Sequence, residues 1–269
     1  MTEDLRWVPP RIDMTVPHPD RMQDYWLGGG HNFAADRELA EKIMRVLPGI
    51  EDVARLKHSF LRRAALFMVE AGIRQFLRFG SGIPSVGRLH EVIQRAAPGS
   101  RIVNVDADPV AVAHSELMLE HVEGIAVLQA DMRDVAGILA AEPTQRLLDL
   151  TRPVGLIAPM LHFMPDSWEP ETIIAGFRDQ LPRGSHLAIA HVTQDAEPPG
   201  LAEAVAATRT TPYPLYPRNC AEILRLCAGF ELVEPGLVGF AMWRPEGPDD
   251  YSTKPGINAL MYACVGRRI

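Results

Sequence analysis

The sequence predicts an α/β fold, a doubly wound parallel sheet preceded by a helical extension. The first observation is that, after Gly72, short apolar runs alternate with amphipathic helical stretches, the pattern of repeated strand–helix–strand units. The second is that residues 1–71 show helical periodicity broken by glycines. The third is size: 269 residues, 47% of them hydrophobic, can form one large unit with a sizeable core. We therefore predict an extension over residues 1–71 and one continuous globular unit over residues 72–269.

The N-terminal extension is predicted to contain an arm and three helices. Four prolines in the first 20 residues favour an arm without regular structure. Residues 20–47 have a helical pattern, but the glycines at 28–30 interrupt it and predict two helices flanking a turn. A third helix fits residues 53–71 and ends at Gly72, since glycine is common just beyond a helix C-terminus.

The globular unit is predicted to contain five parallel strands with helices between them. The strands are placed at residues 75–79, 101–105, 125–130, 154–160 and 186–192. The helices between them are placed at residues 85–97, 109–121, 135–141 and 170–181. Asp108–Pro109 is the clearest helix start, an aspartate N-cap followed by a proline. The C-terminal part is predicted to add a helix at 217–228, a short strand at 231–233, a loop at 249–258 and a strand at 259–265.

Composition and charge argue against several classes of protein. A net charge of −7 gives no electrostatic reason to bind phosphate backbones or anionic lipid, so no nucleic-acid partner is expected. Three cysteines are too few for a disulfide framework, and no cysteine pair or histidine–carboxylate cluster suggests a metal. The longest apolar stretch, residues 154–164, is too short to span a bilayer, and the polar N-terminus is not a secretory signal. We expect a cytoplasmic protein without a membrane segment.

Candidate binding residues lie where the strands end, because open α/β sheets bind ligands at the carboxyl ends of their strands. The first predicted strand runs into Gly80-Ser81-Gly82. Glycines here let a ligand approach the backbone, and the following helix N-terminus offers free N–H groups. The alternative for this segment is a tight strand–helix turn that binds nothing.

Acidic residues follow the second and third predicted strands. Asp106 ends the second strand, and its carboxylate can accept hydrogen bonds from both hydroxyls of a ribose. The alternative for Asp106 is a helix cap or a solvated loop acid. Asp131 follows the third strand and can accept from an adenine amine, with Met132 packed on the ring. The alternative for Asp131 is a cap of the next helix.

Two classes of nucleoside-binding protein fit these features to different degrees. An NAD-dependent oxidoreductase would carry GxGxxG or GxGxxA, and Ser85 at the last position leaves that signature incomplete. Acids after both strands, a short glycine loop and a late strand pair instead resemble class I S-adenosylmethionine (SAM) methyltransferases. The proline–glycine turn at residues 181–187 resembles the turn before the fifth strand of such enzymes.

The resemblance extends to a particular family. Residues 24–37 read DYWLGGGHNFAADR, an unusual segment of the form DYxLGGxxNFxADR. Together with GIRQFL at 72–77, DADP at 106–109 and LHFMPD at 161–166, this segment resembles a family of uncharacterised SAM-dependent methyltransferases common in actinobacteria. The resemblance covers the chain from about residue 17 to the C-terminus.

The resemblance implies a Rossmann-like class I methyltransferase sheet, SAM as the cofactor and an N-terminal segment that folds over the SAM pocket as a lid. Helix packing, with Tyr25 and Trp26 as core aromatics, is the equal alternative to the lid. We expect a small-molecule methyl acceptor, and a homo-oligomer is compatible with the sequence. The residues expected to contact SAM are Tyr25, Gly28, Gly80, Ser81, Gly82, Asp106, Ala107, Asp131, Met132 and Leu161.

One departure from the family concerns Arg78. The family usually carries an acid at this position, two residues before the first glycine of the loop, where the acid helps to hold the methionine amino end of SAM. An arginine there either faces the methionine carboxylate of SAM or turns away. Arg78 therefore keeps open the alternative of a SAM-binding protein without catalysis.

The catalytic candidate is His162, which follows the fourth predicted strand near the expected position of the donor methyl group. It is suited to act as a general base at neutral pH. A structural histidine is the competing explanation, and His191 has the same ambiguity. Residues 213–217, YPLYP, place two aromatics in a rigid loop that either lines an acceptor pocket or only packs.

Overall fold

Eight strands form a single sheet in the computed structural model, which describes residues 13–83, 88–195 and 198–269. In chain order they are β1 (Gln75–Phe79), β2 (Arg101–Asp106), β3 (Ile125–Gln129), β4 (Gly155–Ala158), β5 (His186–Val192), β6 (Phe230–Leu232), β7 (Val238–Gly239) and β8 (Met261–Arg268). Their order across the sheet is β3-β2-β1-β4-β5-β8-β6, and β7 pairs with β8. Strands β1 to β5 are parallel, and β8 runs antiparallel to β5, β6 and β7.

Helices precede the sheet and connect its strands. In chain order they are α1 (Pro19–Trp26), α2 (Ala34–Val46), α3 (Ile50–Glu70), α4 (Leu89–Ala96), α5 (Pro109–Leu119), α6 (Val135–Ala140), α7 (Glu142–Leu147), α8 (Pro170–Gln180), α9 (Leu201–Thr208), α10 (Cys220–Leu226) and α11 (Pro255–Asn258). Within the described ranges, no helix is both long and apolar enough to cross a membrane. The predicted doubly wound α/β fold is confirmed.

The ends of the elements show where the sequence prediction was accurate. Strands β1 and β5 have the predicted bounds, β4 is shorter at both ends, and β8 continues to Arg268. The prediction of a loop over residues 249–258 is wrong. Pro248 begins a 3-10 turn and Pro255 begins α11, because the fixed φ of proline suits the first position of a helix. Residues 85–87 of the helix predicted from residue 85, and residues 1–12 of the predicted arm, lie outside the described residues.

The order of the strands reverses between β1 and β4. The chain passes from β1 outward through β2 to β3, and then returns to β4 on the other side of β1. Loops that leave neighbouring strands in opposite directions open a crevice at the carboxyl ends of those strands. The glycine loop after β1, Asp106 at the end of β2 and the turn Leu161–Phe163 after β4 therefore lie at one edge of the sheet.

Side chains that alternate along β1 divide the core into two layers. Phe76 packs in one layer with Phe60 and Met68 of α3, whereas Phe79 packs in the other layer against Phe177 of α8. Helix α3 covers one face of the sheet, and α1 and α2 contact α3. The N-terminal extension is thus attached to the sheet through α3.

Arg63 of α3 ties this helix to the C-terminal segment. Its Nε donates to the Trp243 carbonyl oxygen at 2.8 Å, its Nη2 donates to the Phe240 carbonyl oxygen at 2.9 Å, and its Nη1 pairs with the Asp250 carboxylate. Arg63 and Asp250 are both buried. Because this cation and its partners are shielded from water, removal of the guanidinium leaves the buried carboxylate without its cation and both carbonyls without this donor.

We predict that Arg63→Ala lowers the free energy of unfolding by about 3–5 kcal/mol, the cost of breaking a buried ion pair from one side. Urea denaturation measures this change. The neighbouring Arg62 is the control, since it makes an exposed ion pair with Glu246 at 2.6 Å. Arg62→Ala should cost at most about 1 kcal/mol. Equal losses of unfolding free energy in the two variants would contradict the conclusion that Arg63 holds α3 against the C-terminal segment.

Candidate functional site

The carboxylate of Asp106 fixes the glycine loop at the end of β2. Its Oδ2 accepts hydrogen bonds from the Gly82 N–H at 2.9 Å and from the Ser81 hydroxyl at 3.3 Å. Its Oδ1 accepts from the Asp108 N–H at 3.0 Å. One side chain therefore sets the relative position of the loop after β1, the end of β2 and the start of α5.

Asp106 is neither a helix cap nor a solvated acid. The cap of α5 is Asp108, whose Oδ1 accepts from the Val110 N–H at 3.2 Å, as the Asp108–Pro109 signal predicts. Asp106 is only 4% exposed. Burial raises the pKa of Asp106 to about 6, although the hydrogen bonds from the Asp108 and Gly82 N–H groups act in the opposite direction. The carboxylate is therefore mostly ionised at neutral pH.

A cavity of about 810 Å³ opens above this loop. Five of the ten residues predicted to contact the cofactor line it, namely Gly80, Asp106, Ala107, Asp131 and Met132. Ser81 and Gly82 are not part of the lining and support it through their hydrogen bonds to Asp106.

The other three predicted cofactor residues do not line this cavity. The Tyr25 hydroxyl donates to Glu41 Oε1 at 3.0 Å, and Gly28, with φ of +78°, ends the turn after α1. Leu161 is fully buried in the sheet core. Other residues of the same segments take these places: His18, Pro19 and Asp20 from the extension, and Met160, Phe163 and Met164 after β4.

Gly80 has the backbone conformation and the space that only glycine fits. Its φ is +55°, and a Cβ atom there would lie 2.0 Å from Cγ of Met160. Met160 lines the cavity, so any side chain at position 80 would push it into the space for the ligand. The sequence interpretation of this glycine as a point of close approach agrees with this geometry.

Asp131 is held at the rim of the cavity by Arg133. The guanidinium donates to Oδ2 at 2.6 Å and the Arg133 N–H donates to Oδ1 at 2.9 Å. The side-chain hydrogen bond from Arg133 lowers the pKa of Asp131, so this carboxylate is ionised and able to accept further hydrogen bonds. The alternative of Asp131 as a helix cap is wrong, because Asp134 caps α6 through the Gly137 N–H.

Trp168 is a rim residue that the sequence analysis missed. The Arg133 guanidinium lies 4.0 Å from the centre of the Trp168 ring, and the indole lines the cavity while 41% exposed. The available signal was a tryptophan two residues after LHFMPD, in the segment that follows the fourth predicted strand, because ligands bind at the carboxyl ends of the strands in such sheets.

Arg78 is buried and lies among carboxylates. Burial lowers the pKa of its guanidinium to about 10, while the charges of Asp106 and Asp20 act to raise it. Among the described residues, its Nε has no hydrogen-bond partner. Burial, followed by the charges of Asp106 and Asp108, raises the pKa of Asp20 well above its usual value. Arg78 is therefore buried beside Asp20 and Asp106 and does not turn away toward solvent, but it does not line either cavity.

A second cavity, of about 750 Å³, adjoins the first one. It lies between the extension and the sheet and is enclosed largely by apolar side chains of α1, α2, α3 and α9. Pro19, Met160 and Phe163 line both cavities, so the two spaces meet at these side chains. The polar side chains in its lining are Gln23, Lys57, His162 and Thr208.

Lys57 is the second residue that the sequence analysis missed. It is 8% exposed on α3, and burial lowers the pKa of its ammonium group to about 8. The charge of Asp20 raises this pKa and that of Arg78 lowers it. The available signal was a lysine within the apolar stripe of the predicted helix, four residues after Val53 and three before Phe60.

His162 lines the second cavity and is neutral. Burial, followed by the charges of His191 and Lys57, lowers its pKa well below the usual value. In the described part of the chain, its Nδ1 has no hydrogen-bond partner. His191 is different, since Nδ1 lies 2.8 Å from the Val192 carbonyl oxygen and Nε2 lies 2.9 Å from the Arg218 guanidinium. His191 is thus a satisfied structural histidine.

The YPLYP loop contributes to both cavities. Tyr213 lines the first cavity and packs edge-on against His18, with ring centres 4.4 Å apart. Leu215 lines the second cavity. The loop therefore lines both cavities and also packs against the N-terminal extension at His18.

Comparison with known proteins agrees with this geometry. A profile of the S-adenosyl methyltransferase family matches residues 5–269. The chain belongs to this family. A crystal structure of a candidate methyltransferase from Thermobifida fusca YX is 36% identical, with a TM-score of 0.90 over 97% of this chain and 98% of that one. A DUF574 family protein from Streptomyces avermitilis MA-4680 is 35% identical, with a TM-score of 0.92 over 96% of this chain and 100% of that one. No curated protein sequence matches.

Membership of the family makes this chain a SAM-dependent methyltransferase with a Rossmann-like sheet. The expected cofactor, SAM, is confirmed, and the alternative of an NAD-dependent oxidoreductase is not supported. The described residues fit SAM. Ionised carboxylates suit its cationic centres and its ribose hydroxyls, and the missing side chain at Gly80 leaves space that a Cβ atom would close.

We predict that Gly80→Ala weakens SAM binding by roughly tenfold to a hundredfold, since overpacking at Met160 costs about 1–3 kcal/mol. Isothermal titration calorimetry measures the affinity. Gly72→Ala is the matched control, because Gly72 also has a positive φ, +94°, but no atom within 4 Å of the added methyl. It should lose some stability and keep its SAM affinity. Loss of affinity in both variants would show that strain, not space, is responsible.

Proposed function

We propose that this enzyme methylates a small molecule held in the second cavity, with SAM in the first. The observation that carries the proposal is the junction of the two cavities at Pro19, Met160 and Phe163. SAM supplies an electrophilic methyl group on a sulfonium sulfur. A donor in one cavity and an acceptor in the other would meet across this junction, and positioning of this kind supplies much of the rate of such a displacement.

We propose that the nucleoside of SAM lies along the ends of β2 and β3. Asp106 would accept from one ribose hydroxyl at Oδ1, beside its bond from Asp108, and from the other at Oδ2, in place of the long Ser81 contact. Asp131 would accept from the adenine amine, and Met132 and Trp168 would pack against the ring. The exposed rim position of Asp131 and Trp168 suits the outer end of the ligand.

The methionine end of SAM is proposed to face Asp20. The family's usual acid is replaced by Arg78, whereas Asp20 of the extension lines the cavity, with Oδ1 3.4 Å from the position of a Cβ atom on Gly82. A nearby cation stabilises the ionised form of a buried carboxyl. The ammonium group of SAM would therefore favour the ionised form of Asp20, which burial disfavours. The N-terminal extension would in this way supply the carboxylate that β1 lacks.

The N-terminal extension is proposed to close the cofactor cavity, as the DYxLGGxxNFxADR motif suggests. Residues 18–20 of the extension, which precede the motif, line the cofactor cavity. Residues of the motif hold this segment in place. Asp36 of the motif accepts from the His18 N–H at 2.8 Å and pairs with Arg21 at 3.0 Å. Tyr25 and Gly28 were expected to contact SAM. We propose instead that they act indirectly, by fixing the shape of α1 and of the turn that follows it.

His162 is proposed to contact the acceptor. A histidine with a strongly lowered pKa is a weak base, so proton removal is not its main contribution. A neutral imidazole would still orient an acceptor through one hydrogen bond at Nδ1, the nitrogen that has no partner in the described part of the chain. The net charge of −7 and the enclosed cavity favour a small molecule over nucleic acid. A cytoplasmic location and the oligomeric state stay predictions.

Calorimetry with SAM and with NAD tests the cofactor assignment on the purified chain. We expect SAM to bind and NAD to give no heat of binding. Release of S-adenosylhomocysteine with a metabolite extract tests the class of acceptor. The release should depend on the low-mass fraction of that extract and not on its protein or nucleic-acid fraction. Release that follows the macromolecular fraction would contradict the proposal.

We predict that Asp106→Asn weakens SAM binding by roughly tenfold to a hundredfold, because hydrogen bonds to a charged group contribute about 1.5–3 kcal/mol. The asparagine keeps the shape of the side chain but removes its charge and one of its two acceptor oxygens, so it also loses the hydrogen bond from either Gly82 or Asp108. Asp108→Asn is the control, since asparagine is as good an N-cap as aspartate and Asp108 does not line the cavity. If Asp108→Asn loses affinity and Asp106→Asn does not, the ribose lies two residues further along the chain.

A further inference from the structure

The polar side chains of the second cavity are few. Its walls are formed mainly by methionine, leucine, isoleucine, valine and proline side chains. Such walls suit an acceptor with an apolar body, because apolar contact is what they offer. The polar part of the acceptor must then meet one of the few polar groups, and among these Lys57 is the one with a cationic form that suits an anionic acceptor.

Lys57 has no established partner for its charge. Among the described residues, no hydrogen bond and no ion pair within 4.0 Å involves its ammonium group, although the side chain is 8% exposed. Asp20 and Arg78 influence Lys57 only at longer range. A buried cation without a partner is costly, and an anionic ligand group beside it lowers that cost.

Lys57 also lies close to the place where methyl transfer would occur. It lines the acceptor cavity, its charge acts on His162 of that cavity, and it acts on Asp20 of the cofactor cavity. Lys57 thus shares the second cavity with the junction residues Pro19, Met160 and Phe163. Under the proposed function, a ligand atom that contacts Lys57 lies in the space that faces the donor methyl.

We propose that the acceptor is an apolar molecule with one acidic hydroxyl, a phenol or an enol, whose oxygen is bound by Lys57 as the oxyanion and is the atom methylated. This inference rests on the proposed function and adds the substrate class to it. An amine acceptor suits this site less well than an oxyanion, because a neutral amine has no negative charge to pair with Lys57 and a protonated amine would be repelled by it.

The reaction balances without a strong base in the site. The acceptor gives up its hydroxyl proton to solvent as it binds in the anionic form. Its oxygen then forms the new O–C bond while the S–C bond breaks, and the electron pair of the S–C bond stays on sulfur. An anion and a sulfonium thus become a neutral methyl ether and a neutral thioether, and Lys57 keeps its proton throughout.

Three matched fluorophores test the proposal by binding alone. The probes are 7-hydroxycoumarin, 7-methoxycoumarin and 7-aminocoumarin, and the absorbance of the hydroxycoumarin anion reports its ionisation. We expect the wild-type chain, saturated with S-adenosylhomocysteine, to bind hydroxycoumarin as the anion and in preference to the other two. Lys57→Met should weaken anion binding by roughly tenfold to a hundredfold, the contribution of a hydrogen bond to a charged group. Lys57→Arg should retain the anion preference.

The controls separate this proposal from the function on which it rests. Lys42→Met, at an exposed lysine of α2, should change nothing. SAM binding by Lys57→Met, measured by calorimetry, should persist and change much less than hydroxycoumarin binding, since Lys57 does not line the first cavity. Wild-type protein that binds SAM but none of the probes, or binds methoxycoumarin or aminocoumarin as tightly as hydroxycoumarin, overturns the substrate class alone. Wild-type protein that does not bind SAM overturns the proposed function itself.

Discussion

The hydrogen bonds of one buried carboxylate, that of Asp106, hold together the edge of the sheet where the cofactor cavity forms. The glycine loop approaches from β1 and α5 departs from β2, and both are fixed by N–H groups that point at the same side chain. The loop has positive φ angles at Gly80 and Gly82, so its path depends on such an anchor.

The N-terminal extension completes both cavities and is more than a cover for the sheet. Pro19 of α1 stands at the junction of the two spaces, and Lys57 of α3 brings a charge into the apolar one. Helix α3 packs on the sheet through residues such as Phe60, and Arg63 secures it to the C-terminal segment. The position of Lys57 is therefore set by the same helix that covers one face of the core.

Charge around the cavities is concentrated in groups that water barely reaches. Burial lowers the pKa values of Lys57 and Arg78 and raises that of Asp20. Each of these groups is thereby displaced toward its neutral form, and a ligand of opposite charge would reverse the displacement. This arrangement suits a cationic donor beside Asp20 and an anionic acceptor beside Lys57.

The sequence by itself determined the fold class, the order of the main strands and the acids at their ends, because hydrophobic periodicity and turn residues act over short stretches of chain. Asp106 and Asp131 could be found in this way, and so could the cap at Asp108. Only the tertiary structure decided that residues 18–20, and not Tyr25 or Gly28, line the first cavity, and that Lys57 lines the second one. The physical reason is that these contacts join segments distant in sequence, whose meeting depends on how α1 and α3 pack against the sheet.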